Sequence, residues 1–255
     1  MATLSVIVIA KNEEHNIVDC LELVSWAKEI VVVDGGSDDK TVELARRFSQ
    51  KVFIKPWEGY AEAKNFALQQ CSGDWILWLD ADERVTKELS EEIKDILGQE
   101  VTGIVGFEIS RKAFFLGRWI RHCGWYPGYV LRLFRRGSGR WVDKRVHEHL
   151  EIEGDTRRLN SDLLHYTDPN LWHYLEKFNR YTTLAAEELT ARNEPFSLSQ
   201  LILRPMWLFV KMYFLKLGFL DGVQGFILCV LSSCYVFTKY AKLWELSTSK
   251  IRSKA

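Results

Sequence analysis

Residues 30–39 read IVVVDGGSDD, and residues 75–84 read WILWLDADER. In both stretches a continuous apolar run ends at an aspartate, Asp34 in the first and Asp80 in the second. Short apolar runs of this kind predict strands that are buried on both faces, as in a parallel sheet covered by helices. The two carboxylates then emerge where the backbone leaves the sheet, which is the edge at which such sheets bind ligands.

The segments around these two stretches repeat a pattern of a short apolar strand followed by an amphipathic helix. The predicted strands are 4–9, 30–33, 52–54 and 75–79, and the predicted helical stripes are 17–24, 41–48 and 63–67. This alternation predicts an α/β fold with a mostly parallel sheet, right-handed crossovers and helices on both faces. Longer alternating runs at 104–109 and 129–134 predict an antiparallel or mixed extension of the sheet.

Composition favours a folded protein of a reducing, cytosolic compartment. The chain has 255 residues, 47% of them hydrophobic, which suits one α/β domain with a smaller appendage. Its five cysteines are odd in number and form no CxxC pair, and the apolar run at the N-terminus is too short for a secretion signal. No nucleic-acid partner is expected.

The formal net charge of zero conceals an asymmetry along the sequence. Residues 1–100 carry 20 acidic and 11 basic side chains, whereas residues 101–255 carry 14 and 23. An acidic half suits the binding of metal ions and hydroxyl groups, and a basic half suits phosphate groups or an anionic membrane surface. Two solvated faces of opposite sign are the alternative.

Three aspartates, Asp34, Asp80 and Asp82, follow predicted strands. Because these strand ends belong to one edge of the sheet, we expect the carboxylates to converge, and a divalent cation or ribose hydroxyls would offset their repulsion. Asp82 could instead cap the helix that follows it, as Asp38 could cap the helix after the GGS turn. The position of DxD at the end of the fourth strand favours metal binding over capping.

The segments SVIVIAKNEEHNI, EIVVVDGGSDDKT, EAKNFAL and GDWILWLDADE, in this order over residues 4–84, resemble the family 2 inverting glycosyltransferases, which have the GT-A fold. The resemblance implies a GT-A domain at 1–169, with a nucleotide-binding half at 1–100 and an acceptor and catalytic half at 101–169. Residues 170–255 then form a helical extension. Family members usually read VDDGS where this chain reads VDGGS, so one carboxylate is missing.

This resemblance also implies roles for residues at the strand ends. Asp34 and Lys64 would meet the base and ribose of a uridine nucleotide, and Asp80 would meet the ribose or a metal-bound water. Asp82 would bind the divalent cation, Mg²⁺ or Mn²⁺, that bridges the diphosphate of a UDP-sugar donor and stabilises its departing charge. The complete expected donor site is Lys11, Glu13, Asp34, Lys64 and Asp80.

Inversion by direct attack needs a general base near the acceptor hydroxyl, worth ~10²- to 10⁴-fold in rate. GT-A enzymes as a group often place a carboxylate base after the acceptor loop and a later histidine on the metal, and VHE and LLHY stand at those places. By this resemblance we assign Glu148 as the base, with Asp143 and His147 in reserve, and His165 as a second metal ligand. A solvent-facing Glu148 and a His165 bonded to backbone are the alternatives.

The segment LGRWIRHCGWYPGYVLRLFRRG and the endings GFLDGVQGF and YVFTKYAKLWE resemble a narrower group, the bacterial lipopolysaccharide inner-core glucosyltransferases that add glucose to the first heptose. This resemblance implies UDP-glucose as donor, a lipid A-core type glycolipid as acceptor, and a peripheral location at the cytoplasmic face of the inner membrane. The alternative is a family 2 enzyme that acts on another lipid-linked or surface polysaccharide acceptor.

Aromatic and basic side chains in this segment suggest an acceptor site. An aromatic platform for a sugar ring could be formed by Trp119, Trp125 and Tyr126. Contacts with acceptor phosphates could be made by Arg121, Arg132, Arg135 and Arg136, since guanidinium groups bind phosphate in a bidentate manner. A solvated Arg132 on the outer face of a strand is the alternative.

The C-terminal region is unusually aromatic and basic. Residues 201–244 contain five Lys or Arg and one Asp, and the uncharged stretch 222–238 is 17 residues long, at the lower limit for crossing a bilayer. Lysine favours an anionic leaflet, and Trp and Tyr favour the headgroup region. We therefore predict an interfacial helical hairpin, with breaks at Pro195 and Gly218. A buried helix or a dimer contact is the alternative.

Three other classes of protein fit the sequence less well. A sugar nucleotidyltransferase is expected to carry a glycine-rich basic loop after the first strand, where this chain has AKNEEHN. A dinucleotide oxidoreductase needs GxGxxG after a strand, and the sequence has none. A non-catalytic membrane adaptor would explain the C-terminal region but not the three strand-end carboxylates.

Overall fold

A computed structural model describes residues 1–142 and 149–252. The strands within these ranges are β1 (Leu4–Ala10), β2 (Glu29–Asp34), β3 (Lys51–Ile54), β4 (Trp75–Asp80), β5 (Glu83–Val85), β6 (Ile104–Phe115), β7 (Arg118–Trp119), β8 (Gly128–Arg135), β9 (Gly139–Val142), β10 (His149–Ile152) and β11 (Asp155–Asp168). The α-helices are α1 (Ile17–Glu22), α2 (Thr41–Ala45), α3 (Tyr60–Gln69), α4 (Lys87–Gly98), α5 (Leu171–Ala191), α6 (Leu198–Val210) and α7 (Gly222–Arg252). A π-helical turn, Lys211–Leu215, and a 3₁₀ turn, Gly218–Asp221, lie between α6 and α7.

The chain divides into two compact units. The first comprises residues 1–112 and 128–165, and the second comprises residues 113–127 and 166–255. The helical extension predicted at 170–255 thus belongs to a unit that also contains residues 116–127, LGRWIRHCGWYP, which are called the aromatic loop below. The bounds predicted from the sequence instead place this loop in the acceptor half, 101–169, of the first domain.

The large sheet has the order β3-β2-β1-β4-β8-β6-β11-β5, with β7 paired to β6. Strands β1 to β4 are parallel, and β8 pairs antiparallel with both β4 and β6. This architecture confirms the predicted α/β class with a mixed, mostly parallel sheet. The two alternating segments after Gly103 form β6 and β8 and extend the sheet with antiparallel pairing, as predicted.

Both faces of the parallel strands are covered, which explains their continuous apolar sequence. Val6 and Val8 of β1 pack in one cluster with residues of α1 and α4. Ile7 and Ile9 point the other way and pack in a second cluster with Ala63, Ala67 and other residues near α3. Successive residues of β1 therefore alternate between two cores, and neither face can accept a polar side chain without cost.

Strand register brings the acidic strand ends to one edge. Ala10 of β1 is paired with Asp34 of β2, and Ile9 is paired with Asp80 of β4. On the far side of the sheet, β5 runs antiparallel to the end of β11 and places Glu83 opposite His165. The short β5 therefore connects the DxD segment to the LLHY segment, which lies about eighty residues later.

The second unit is mainly helical and contains its own apolar cluster, which includes Phe115, Ile120, Met212 and Leu228. The chain breaks where predicted, because α5 ends before Pro195 and a 3₁₀ turn begins at Gly218. Among the described residues, one helical stretch, 218–248, is long and apolar enough to cross a membrane, with a mean hydropathy of 1.6. Length and composition alone do not distinguish such a helix from one that packs on a protein.

Candidate active site

Asp34 shapes the turn that follows β2. Its carboxylate accepts hydrogen bonds from the backbone N–H groups of Gly36 (2.9 Å) and Ser37 (2.7 Å) and from the Ser37 hydroxyl. The residue is fully buried. An aspartate whose side chain accepts hydrogen bonds from the backbone two and three residues later stabilises a turn. Three donors leave a carboxylate with capacity for one more, but the side chain is buried, so its contact with a nucleotide stays a prediction.

Gly35, which follows Asp34, leaves room for an aromatic side chain. A Cβ at position 35 would lie 2.6 Å from Cε3 of Trp57 and 3.5 Å from Cδ of Lys11. Trp57 in turn meets Tyr60 edge to face, with ring centroids 4.5 Å apart. The position of Trp57 therefore explains why Gly35 stands where the family usually has an aspartate, because an aspartate side chain would collide with this ring.

Neither Asp82 nor Asp38 caps the helix that follows it, although the sequence allowed both to do so. Thr86, and not Asp82, caps α4, with its side chain accepting the Leu89 N–H at 3.1 Å. Lys40 occupies the N-cap position of α2, without a side-chain cap, so Asp38 does not cap that helix. The backbone N–H of Glu13 instead bonds the Thr41 hydroxyl at 2.8 Å, which ties the loop after β1 to α2.

Asp82 and His165 form the closest match to the predicted metal site. The Asp82 Oδ2 atom lies 3.4 Å from His165 Nε2, and the two side chains are 15% and 17% exposed. Both atoms can contact one ion at ~2.1 Å each, since their separation is less than twice that distance. No group of three or more His, Cys, Asp or Glu side chains suited to a metal occurs among the described residues. A cation held here would therefore take its other ligands from substrate phosphate and water, as Mg²⁺ commonly does.

Arg132 lies beside the carboxylates at the end of β4. It is 1% exposed, and its Nη2 donates to Asp80 Oδ2 at 2.8 Å and to Glu83 Oε1. Its Cζ lies 3.5 Å from the ring centroid of Trp78, and the Lys64 Nζ lies 3.9 Å from the centroid of the same indole. The alternative of a solvated Arg132 is wrong. Its predicted role toward an acceptor phosphate requires a group that reaches this buried position.

The charges of this cluster depend on one another. Burial opposes ionisation of Asp80, yet Arg132 and then Lys64 hold the pKa of Asp80 at about 2. Glu83 is fully buried, and burial raises its pKa although Arg132 acts against this. Glu83 also accepts the Asp80 N–H at 3.0 Å and so fixes the DxD turn. Glu83 is not among the site residues predicted from the sequence, although its position directly after DxD could have indicated it.

We expect Arg132→Met to destabilise the fold by about 3–5 kcal/mol at neutral pH, because it leaves the fully buried Glu83 carboxylate without its guanidinium. Asp80 contributes less to this loss, because its side chain is 38% exposed and water screens its charge. Arg136→Met, an exposed position near the end of the same strand, should cost far less. Asp80 contributes its charge-dependent stability above its ordinary pKa of 3.8 and loses it as the pH falls through about 2. Chemical denaturation should therefore show a smaller Arg132→Met effect as the pH falls over that range. A pH-independent loss would contradict the assignment.

The predicted catalytic base cannot be placed geometrically. Glu148, Asp143 and His147 lie outside the described residues. The next residue, His149, begins β10, and its Nε2 lies 3.2 Å from Glu151. The assignment of Glu148, with Asp143 in reserve, stays a prediction.

The predicted acceptor aromatics divide into two groups within the second unit. Trp119 and Tyr126 meet edge to face at 5.3 Å, and the Arg121 guanidinium lies 4.8 Å from the Trp119 ring centroid. Trp125 instead packs against the apolar cluster of this unit, 6.3 Å from Phe115. The three rings therefore do not form one platform. Trp119 and Tyr126 form a pair, and the Arg121 guanidinium lies over the Trp119 ring.

The two other arginines proposed for acceptor phosphates bond to backbone in the first unit. Arg135 Nε donates to the Ile104 carbonyl at 3.2 Å, and Arg136 Nε donates to the Gly73 carbonyl at 2.8 Å. Arg135 also lies over the Trp75 ring, 4.7 Å from its centroid. Both side chains thus support the edge of the sheet.

Asp221 holds the aromatic loop in place and was not singled out from the sequence. It is 1% exposed, and its carboxylate accepts the backbone N–H of Arg121 (3.2 Å) and of His122 (2.8 Å). The His122 Nδ1 lies 3.0 Å from the same carboxylate. A buried carboxylate with these partners fixes the path of the loop, because its loss would remove the acceptor of two backbone N–H groups.

Known proteins resemble this chain in sequence over most of its length. The model of the family described as glycosyl transferase family 2 matches residues 5–150. The chain is 33% identical to the lipopolysaccharide core biosynthesis glycosyltransferase LpsC of Rhizobium meliloti, over 98% of this chain and 94% of LpsC. It is 29% identical to an uncharacterised glycosyltransferase of Rickettsia typhi, over 97% of this chain and 88% of that protein.

A solved structure shows the same fold over nearly the whole chain. The mannosyltransferase PcManGT of Pyrobaculum calidifontis, solved in complex with GDP-Man and Mn²⁺, superposes with a TM-score of 0.58. The alignment covers 95% of this chain and 87% of PcManGT, with 12% sequence identity. At this level of identity the likeness concerns the fold alone.

Proposed function

Because the chain belongs to glycosyl transferase family 2, we propose that it transfers a hexose from a UDP-sugar to the inner core of lipopolysaccharide. The expected donor is UDP-glucose, and the expected acceptor is a heptose of a lipid A-core type glycolipid. The observation that carries this proposal is the near full-length similarity to LpsC. The reaction would take place at the cytoplasmic face of the inner membrane, where the enzyme is peripheral.

On the donor side, the proposal assigns the strand-end residues to the nucleotide and the diphosphate. Asp82 and His165 would hold a divalent cation, Mg²⁺ or Mn²⁺, which when bound offsets the charge of the diphosphate. Arg132 and Glu83 orient the Asp80 carboxylate and the turn that carries Asp82. The residues proposed to contact the nucleotide are Lys11, Glu13, Asp34, Lys64 and Asp80.

On the acceptor side, Glu148 would take the proton from the attacking hydroxyl, with Asp143 in reserve. The bond from the acceptor oxygen to the anomeric carbon forms as the bond from that carbon to the UDP oxygen breaks, so the anomeric configuration inverts. The proton ends on the carboxylate, and the electron pair leaves with UDP. Trp125, Tyr126 and Arg132 are the residues proposed for the acceptor.

Mass spectrometry of lipopolysaccharide from a strain that lacks this chain tests the acceptor assignment. We expect the inner core to lose one hexose, together with any sugars that depend on it, and to regain them when the wild-type chain is restored. An unchanged core would contradict the proposal. A hexose lost from another surface glycan would point to a different family 2 acceptor.

A further inference from the structure

Part of the second unit exposes large apolar side chains. Seven of them, in α6, the π-helical turn, the 3₁₀ turn and the start of α7, are between 51% and 70% exposed: Leu203, Met206, Trp207, Phe214, Leu215, Leu220 and Val223. Soluble proteins rarely expose so many large apolar residues within one short segment unless another apolar phase covers them. This segment, 203–223, is called the apolar segment below.

The four lysines of residues 201–244 fall into two groups. The Lys242 Nζ is used within the protein, because it donates to the Asn179 carbonyl (3.0 Å) and to the hydroxyls of Thr182 (2.9 Å) and Thr183 (2.7 Å). Lys239 is half-buried, and burial lowers its pKa. From composition alone, these two lysines would be expected to attract an anionic membrane as strongly as the other lysines. Their side chains instead pack against the protein.

Lys211 and Lys216 differ from that pair because both are exposed and lie within the apolar segment itself. In the part of the chain that the structure describes, neither ammonium group lies within 4.0 Å of a carboxylate. The sole acidic residue of 201–244, Asp221, is 1% exposed and is bonded to the aromatic loop. The exposed charge of the apolar segment is therefore positive.

The two lysines line one cavity of about 470 Å³, whose wall also includes Trp125, Tyr174 and Tyr235. The backbone N–H of Lys216 bonds the carbonyl of Lys211 at 2.8 Å, so the π-helical turn sets the spacing of the two side chains. Single π-turns occur frequently at functional sites. The cavity thus combines two ammonium groups with aromatic walls, next to exposed apolar side chains.

We propose that this cavity binds the phosphate-bearing headgroup of an anionic membrane lipid while the apolar segment enters the bilayer interface. The inference rests on the proposed location at the membrane surface and gives that location a specific site. Ammonium groups bind phosphate through charge-assisted hydrogen bonds, and aromatic side chains favour the headgroup region. The lipid is the source of the phosphate, because the same segment presents apolar surface that a free phosphate ion leaves exposed to water.

Binding of the full chain to vesicles tests this site. Wild type should bind vesicles of phosphatidylcholine with phosphatidylglycerol much more tightly than vesicles of phosphatidylcholine alone. Lys211→Gln with Lys216→Gln should lower the affinity for the anionic vesicles by about 25-fold, or about 5-fold for each lysine. The matched control, Lys239→Gln with Lys242→Gln, removes the same charge and should stay close to wild type. Equal losses in both double variants would overturn the inference and leave the peripheral location standing.

A second variant separates the cavity from the surface charge. Val236 also lines the cavity, and Val236→Trp would fill it while keeping both lysines. Its preference for anionic vesicles should fall although its thermal unfolding shows a folded protein. Wild-type preference in this variant would overturn the role of the cavity.

Two further outcomes would also count against the site. Binding of inorganic phosphate in solution, measured by calorimetric titration, that is as tight as binding to the anionic vesicles would overturn the lipid as the source. Failure of the wild type to bind either kind of vesicle would overturn both this site and the membrane location, without bearing on sugar transfer.

Discussion

The Asp82→Ala variant is expected to lose at least ~100-fold in cation-dependent affinity for UDP. Replacing a residue that only hydrogen-bonds to a metal ligand already lowers metal affinity by up to ~100-fold, and Asp82 is proposed to be a ligand itself. The Asp82 Oδ2 atom lies 3.4 Å from His165 Nε2, which is close enough for both atoms to contact one cation. Calorimetric titration with UDP in the presence of Mn²⁺ measures the loss. The fold should persist, because Thr86 and not Asp82 caps the helix that follows.

The matched control is Asp95→Ala, which removes the same charge from an exposed position on α4. It should bind UDP and Mn²⁺ as the wild type does. Equal affinity in wild type and Asp82→Ala would remove Asp82 from the metal site. His165→Ala should weaken metal and UDP together, because its proposed role is coordination.

The Glu148→Gln variant is expected to lower turnover by ~10²- to 10⁴-fold, the usual contribution of a general base. Its affinity for UDP with Mn²⁺ should stay unchanged, because the proposed role of Glu148 concerns the acceptor hydroxyl. Steady-state rates of transfer and calorimetric titration separate the two effects. Gln keeps the size of the side chain and removes its ability to accept the proton.

Glu151→Gln provides the control, since it makes the same change three residues later on β10. Near-normal turnover in Glu148→Gln would contradict the assignment, and Asp143→Asn would then be expected to show the loss. A fall in turnover that comes with a parallel fall in UDP affinity would instead indicate damage to the donor site.

The strands were predictable because burial on both faces leaves a simple signature. The run predicted at 4–9 is β1 at Leu4–Ala10, and the run predicted at 75–79 is β4 at Trp75–Asp80. Each strand ends where the apolar run meets a charged or small residue at the sheet edge. The carboxyl ends of parallel strands lie at one edge of a sheet, so the edge that carries Asp34 and Asp80 could also be predicted. The order β3-β2-β1-β4 could not, because the chain crosses over β2 and β1 between β3 and β4.

The partners of the acidic residues could not be predicted, because they depend on pairing between distant strands. Arg132 and Glu83 are 49 residues apart in sequence, and they meet because β8 inserts beside β4. An alternating strand such as β8 indicates two faces but not which of them is buried. The sequence therefore allowed Arg132 to lie on the solvent-exposed face of the strand, and the structure shows that it is buried.

The C-terminal region shows a similar limit. Its composition predicts a basic and aromatic surface, but composition cannot distinguish a lysine that faces solvent from one that bonds to a neighbouring helix. Lys242 bonds to α5 through Asn179 and two threonines, whereas Lys211 is exposed. That distinction requires the packing of α5 against α7, which no local pattern in the sequence specifies.

The release of UDP from UDP-glucose by the purified chain tests the central claim most directly. The reaction would contain a heptosyl-lipid A acceptor, with Mn²⁺ or Mg²⁺ in one arm and a chelator in the other. We expect UDP to form together with a glucosylated acceptor, and both products to require the cation and the acceptor. Absence of UDP release from any UDP-sugar, or equal release with the chelator, would contradict the account.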